Sequence, residues 1–250
     1  MPCAGPQAAS AEAPTGCTGS PWGETMIEEV LVLRWVHILA MVYWLGGEWG
    51  VFQSSYNIIN RNLSLEERRR HMETAYRIDI LARTGIILLL PLGLHMGNIY
   101  GLQPYGGGYL TAMWAFVAGW LALCWGAFFT RETDLGIRLT KLDEAIRYVL
   151  IPTIFVVGIS SLTGHGPFEA SEGVRWYATK FTLYGFTLCI GLGLRWIMRL
   201  WTMRFRALAA GPDPAQEAAL EREIVIGRGL AYIYWITISG ICFLGTVKPF

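Results

Sequence analysis

Charge is scarce in this chain. Asp, Glu, Lys and Arg make up 16% of the 250 residues, where a soluble domain carries about a quarter. With 53% hydrophobic residues, the deficit points to lipid as the surrounding solvent. The net charge is only +1, so no global basic field marks a nucleic-acid partner. Cysteine is also sparse. Cys3, Cys17, Cys124, Cys189 and Cys242 form no C-x-x-C pair, and no C-x-x-C-H is present for covalent haem attachment. Cys124, Cys189 and Cys242 lie in apolar runs and read as small packing residues. No G-x-S-x-G, P-loop or H-E-x-x-H occurs, which removes the usual signatures of nucleophilic, nucleotide and zinc-protease chemistry. The period-two alternation of half-buried strands is missing as well.

Residues 1–25 are rich in Ala, Gly, Pro, Ser and Thr, and no basic segment leads into an apolar one, so they do not read as a secretory signal. Thr15-Gly16-Cys17 has the outline of a lipoprotein site but lacks the apolar stretch before it, and Pro14 stands where Leu is needed. The segment reads as a disordered tail, or as sequence upstream of a working initiator at Met26.

Long apolar runs fill the rest. Six stretches reach the roughly 20 residues needed to cross a bilayer: 30–52, 78–100, 109–130, 145–163, 176–196 and 230–247. Backbone groups in lipid must be satisfied within the segment, so these are helices. The expected fold is an all-α integral membrane bundle of six transmembrane helices, one domain over 26–250. Its loops alternate in charge. Arg61, Arg68, Arg69, Arg70 and Arg77 follow the first span. Arg131, Arg138, Lys141 and Arg147 follow the third, and Arg199, Arg204, Arg206, Arg222 and Arg228 the fifth. The loop 101–108 is uncharged, and 164–175 holds only Glu169, Glu172 and Arg175. The positive-inside rule then puts the basic loops in the cytoplasm and both termini outside, N-out and C-out. For a bacterial chain this is an inner-membrane protein with periplasmic termini. Ser64-Leu65-Glu66-Glu67 has the form of a capping box and predicts a helix start. Asp213-Pro214 predicts another, running through Glu221 and Arg222 into the last span.

Three of the four histidines fall toward the outer face. His37 lies in the outer half of the first span, His95 near the outer end of the second, and His165 directly after the fourth. His71 stands among arginines on the other side and reads as a surface residue. An ionisable residue within a span is by default a functional candidate, although a single membrane His also serves packing by bonding a neighbouring helix. Neutral imidazole is a metal ligand, and two on facing helices hold a haem iron from both sides. By helical rise, His37 and His95 sit at comparable depth, which suits a b-type haem between the first two helices. Arg34, Arg175 and Lys180 fall toward the same face, as partners for haem propionates or as snorkelling anchors. His37, His95 and His165 also form a candidate metal set for copper, with Met41 and Met96 as thioether donors. Trp35, Trp44, Trp114 and Trp176 read as an aromatic belt.

Deeper in the membrane, Glu48 in Gly46-Gly47-Glu48-Trp49-Gly50 and Arg83 in the second span form a possible intramembrane ion pair. Such a pair is structural, or it marks a proton relay or a quinone site. His37, Met41, Trp44 and Glu48 share one helical face.

Leu33-Arg34-Trp35-Val36-His37-Ile38-Leu39-Ala40, with Trp44-Leu45-Gly46-Gly47, resembles the first span of the copper-resistance protein D superfamily. It is also similar to the membrane domain of bacterial urate hydroxylase and to the first helix of the HemJ type of protoporphyrinogen oxidase. Arg83-Thr84-Gly85 and Trp176 to Lys180 fit the same layout loosely. The resemblance is specific around the first helix. It implies a helical bundle with cofactor or metal chemistry near the His-bearing face, and His37 is the matched position. The chain departs from urate hydroxylase in lacking a C-terminal c-type cytochrome, and it is longer and differently looped than HemJ.

Three functions follow as expectations. The first is a haem b membrane protein carrying electrons between the quinone pool and a periplasmic cytochrome or dehydrogenase subunit. The second is a copper-handling transporter. The third is a non-catalytic membrane subunit of a larger respiratory or photosynthetic complex.

Overall fold

Lipid on the outside lets apolar side chains face outward, and this chain uses that freedom: Trp35, Phe129, Val149 and Ile236 are all more than 60% exposed although they lie in its most apolar segments. The computed structural model describes residues 21–131 and 133–250, with side chains from residue 28 onward. Within them lie six helices and no strands: α1 (Pro21–Ile58), α2 (Leu65–Ile99), α3 (Gly108–Phe129), α4 (Asp134–Leu162), α5 (Arg175–Ala210) and α6 (Pro214–Val247). Each contains a window apolar and long enough to cross a membrane. The all-α, six-span expectation holds. The reading of residues 1–25 as a tail lies outside the described residues up to residue 20, and residues 21–25 belong to α1.

Five helices exceed the expected spans. At 34 to 38 residues, α1, α2, α5 and α6 are about 50–57 Å long, against a hydrocarbon core of about 30 Å. In α1 the surplus lies at both ends, whereas in α2, α4, α5 and α6 it extends toward the end that carries the α1–α2, α3–α4 and α5–α6 loops, hereafter the basic end. There a separate apolar core forms around Ile58, Met72, Trp201, Phe205, Leu220 and Ile224. Arg68, 4% exposed, locks it by a two-pronged contact to Glu217 at 2.7 and 2.8 Å and by donating from Nε to the Ile58 carbonyl.

The expected helix starts are present. Ser64 Oγ accepts the Glu67 N–H, and the Glu67 carboxylate accepts the Ser64 N–H at 2.9 Å, a reciprocal capping box. Asp213 caps α6 by accepting the N–H groups of Ala215 and Gln216, with Pro214 in the first turn. Pro91 and Pro152 lie inside α2 and α4, a placement tolerated in membrane helices, where neighbours satisfy the freed carbonyls.

Consecutive helices pack side by side, α1 touches α6, and α2 touches α5 across the bundle. The result is a ring of six closed at α1 and α6. Its tightest seam joins α1 to α2. A Cβ on Gly85 would run into the Ala40 carbonyl oxygen and come within 2.9 Å of the Trp44 nitrogen, and one on Gly47 would come within 2.8 Å of the Ala82 Cβ. Bare backbone on both helices therefore permits the close approach.

Gly85→Ala is expected to cost about 1–3 kcal/mol through overpacking, seen as a lower thermal midpoint in detergent. Gly46→Ala, whose Cβ meets nothing within 4 Å, should leave the midpoint unchanged.

Candidate functional site

Two cavities lie in the space bounded by α1, α2, α5 and α6, with Arg147 of α4 also reaching the smaller. The larger, of about 530 Å³, is at the end away from the basic loops. The smaller, of about 60 Å³, lies toward the basic end. The shared face foreseen on α1 is the inward one. His37, Met41 and Trp44 line the large cavity, and Glu48 lines the small one.

In the large cavity His37 comes from α1, and its Nδ1 is buried without a hydrogen-bond partner. Gly93 of α2 leaves space beside the ring: a Cβ there would sit 3.8 Å from His37 Cε1. Arg34 stands one turn away and donates to the Tyr100 hydroxyl at 2.8 Å. Lys180 enters from α5, Lys248 follows α6, and both line the same space. The Lys248 ammonium lies over the rings of Trp176 and Tyr100, 5.0 and 5.7 Å from their centroids. Tyr177 and Tyr184 brace the wall by donating to the Gly93 and Ile86 carbonyls. Among the described residues no Asp or Glu lines this cavity. Its charge is therefore one-sided, with Lys180 half-buried and Arg34 and Lys248 exposed, an arrangement that suits an anionic ligand.

Arg34, His37 and Lys180 are thus brought together as the sequence suggested. The other candidates are not. His95 points away from the cavity: Trp114 Nε1 donates to its Nδ1 at 3.3 Å, and its Nε2 lies 3.2 Å from Glu29. The reason is azimuth. Gly93 faces His37, and two residues further along a helix rotate the side chain by about 200°. His165 is exposed in the α4–α5 connection, its N–H bonded to the Ser160 carbonyl. Arg175 is exposed at the start of α5 and does not line the cavity. Among the described residues no group of three His, Cys, Asp or Glu side chains forms a metal cage, so His37, His95 and His165 do not gather into one.

The aromatic-belt reading suits Trp35, which is exposed, but not Trp44. Trp44 is fully buried and donates from Nε1 to the Tyr234 hydroxyl at 2.9 Å. Because Trp44 lines one cavity and Tyr234 the other, this bond is the partition between them.

Around the small cavity the charges are denser than foreseen. Arg83 bonds Asp79, one turn earlier on α2, and among the described residues Glu48 has no cationic group within 4 Å while lining the same cavity as both. Asp143 of α4, 1% exposed, is held by Arg195 of α5, by Arg147 at 3.4 Å, and by Trp120 Nε1 of α3 at 2.7 Å. Asp79, Asp143 and Arg195 were missed as site residues. The signal was available, since Asp79 and Arg83, like Asp143 and Arg147, are spaced i,i+4 on a helix face, and Arg195 falls within the fifth apolar run.

No protein-family model, curated protein or solved structure matches the chain.

Asp143→Asn should leave two guanidiniums without their shared carboxylate, at a cost of about 3–5 kcal/mol. The expected readout is a markedly lower thermal midpoint in detergent, partly restored when Arg195→Leu is added.

Proposed function

We propose that the chain is an inner-membrane electron-transfer protein that binds haem b in the His37 cavity and passes electrons between the quinone pool and a periplasmic cytochrome or dehydrogenase subunit. The observation that carries this reading is the convergence, in one cavity of about 530 Å³, of an unpartnered imidazole with the cations Arg34, Lys180 and Lys248 and no acid. The volume falls in the range of roughly 300–1,000 Å³ typical of ligand pockets. Its walls are apolar and aromatic, suited to a flat macrocycle.

The residues present fit that group. His37 supplies a neutral nitrogen ligand. Arg34, Lys180 and Lys248 would take the two propionate carboxylates by charge-assisted hydrogen bonds. Met41 and Met96 line the same cavity, and a thioether is the ligand that accompanies His in some cytochromes. His95 has both ring nitrogens engaged elsewhere, which favours His37 with a thioether over a His37–His95 pair. When bound, the haem supplies one-electron chemistry, and the chain orients it, excludes water and balances its charge. The excess of Arg and Lys in the α1–α2, α3–α4 and α5–α6 loops supports a cytoplasmic basic end, with the His37 cavity and both termini on the periplasmic side.

A copper-handling role is the second reading. It draws on Cys242, which lines the same cavity as His37, Met41 and Met96 and adds a third soft donor type. The one-sided positive charge of the cavity disfavours a bare cation and places haem first.

An absorption spectrum of the detergent-purified protein, oxidised and dithionite-reduced, with metal analysis of the same sample, tests the choice. A Soret band and a resolved α band are expected, lost in His37→Ala and retained in His95→Ala. A colourless sample holding copper would establish the second reading in its place.

A further inference from the structure

The small cavity is long for its volume. Its lining follows α5 from Leu188 to Trp201 and α6 from Ile224 to Tyr234, about 15–20 Å at helical rise. Yet it encloses only about 60 Å³. A water needs about 10–15 Å³ of such space and two to four polar partners, so the shape admits a short file of waters and excludes a ring-sized ligand.

Polar partners are supplied along it. Arg147 Nη2, Arg228 Nη2 and Trp201 Nε1 are buried without a protein partner, and all three residues line this one cavity. Arg147 and Trp201 are each at least 95% buried. A buried donor left unmade costs about 1–3 kcal/mol, and water accepting from each removes that cost. Arg228, half-buried, lies toward the basic end, where its Nε donates to Ser55 Oγ and its guanidinium covers Tyr56.

The acids sit deeper. Glu48 is faced by Asp79 and Arg83 from α2, Arg147 from α4, Arg195 from α5, and Arg228 and Tyr234 from α6. Most of these are committed. Asp79 is bound to Arg83, Arg147 and Arg195 share Asp143, and Tyr234 accepts from Trp44. Glu48 alone among the lining acids has no ion-pair partner.

We propose that this passage conducts protons from the basic end to Glu48, and that Glu48 takes up a proton when an electron enters the His37 cavity. An external one-electron donor would supply one electron at the His37 cavity. One proton leaves a hydronium at the basic end, passes along the waters, and forms an O–H bond on a Glu48 carboxylate oxygen. The hydronium loses that O–H bond and becomes water, and the charge inside the bundle is unchanged. Glu48 and His37 are eleven residues apart on α1, about 16 Å along its axis, with the Trp44–Tyr234 partition between them. The passage itself stands without a haem, whereas the coupling rests on the haem reading.

Infrared spectroscopy of the purified full chain in detergent tests the passage. The wild type should show a protonated-carboxyl band that disappears as pH rises and shifts promptly in D₂O. Glu48→Gln should remove this band and Asp79→Asn should keep it. Gly227 lines the passage, with Ile197 3.5 Å from where its Cβ would be, so Gly227→Val should slow the D₂O shift at least tenfold without changing the titration. If that variant does not fold, Gly227→Ala, the smaller substitution facing Ile197, should slow it in the same sense. A band that survives Glu48→Gln, or exchange indifferent to the narrowing variant that folds, would overturn the passage. The haem midpoint potential tests the coupling. It should fall with rising pH by about 59 mV in total, the equivalent of a tenfold change in Glu48 proton affinity, and lose that dependence in Glu48→Gln. A haem-bearing protein with the same pH dependence in both forms refutes the coupling and leaves the haem reading standing. A protein without haem refutes the haem reading and with it the coupling, while the infrared result still decides the passage.

Discussion

A guanidinium or carboxylate carried into hydrocarbon is costly unless it meets its opposite there, and the arrangement of this bundle follows from that constraint. Asp143 is where it is met most fully. One carboxylate accepts from Trp120 of α3, from Arg147 on its own helix and from Arg195 of α5. Three helices are thereby held in one relation, since displacing any of them would strand a buried charge or a buried donor. The guanidinium of Arg147 also lies over the Trp120 ring, 5.2 Å from its centroid, so the indole serves the cluster through both its N–H and its face. Asp79 and Arg83 solve the same problem within α2. That pair needs no neighbour for neutrality, and α2 remains free to pack against α1 by its small residues alone.

The bare seam of Gly47 and Gly85 makes the two cavities possible. With α1 seated on the backbone of α2, the inward face of α1 reaches the middle of the ring, and a single stripe from His37 to Glu48 borders both spaces. The Trp44–Tyr234 bond divides that stripe. Its two partners are buried on helices at opposite ends of the sequence, so the partition also fixes where the ring closes between α1 and α6.

Depth and helix identity were legible in the sequence because they depend on composition and on rise per residue. The six spans, the Ser64 capping box and the Asp213-Pro214 start all follow from local rules that lipid makes strict. Azimuth was not legible in the same way. Gly93 of α2 sits beside His37, but a difference of two residues turns His95 toward Trp114 and Glu29. Depth alone had paired it with His37. Glu48 and Arg83 were matched by depth too, whereas Arg83 meets the nearer Asp79 on its own helix. The i,i+4 spacing of Asp143 and Arg147 was available in the sequence, but their closure by Arg195 was not, because it joins the mouth of the fourth span to the edge of the fifth, a contact between helices that no single-helix pattern contains. Lys180 and His37 could be assigned to one face from topology, but only the packing of α5 against α2 and of α6 against α1 turns a shared face into a shared cavity.

The two cavities differ in electrostatic kind as well as in size. The large one presents Arg34, Lys180 and Lys248 with no acid among its lining residues, Lys180 half-buried and the other two exposed, so an anion is the guest its field attracts. The small one mixes Arg83, Arg147, Arg195 and Arg228 with Glu48 and Asp79, so its charges are partly offset without a ligand, and donors of Arg147, Arg228 and Trp201 remain to be satisfied. A one-sided site selects a charged guest. A narrow one lined by unpartnered donors selects water. If electrons arrive in the first while the second can admit protons, the Trp44–Tyr234 wall keeps the two kinds of carrier apart, and the field across it links them. Such a link would need no moving part, because charge added on one side of the buried Trp44–Tyr234 partition changes the proton affinity of an acid on the other.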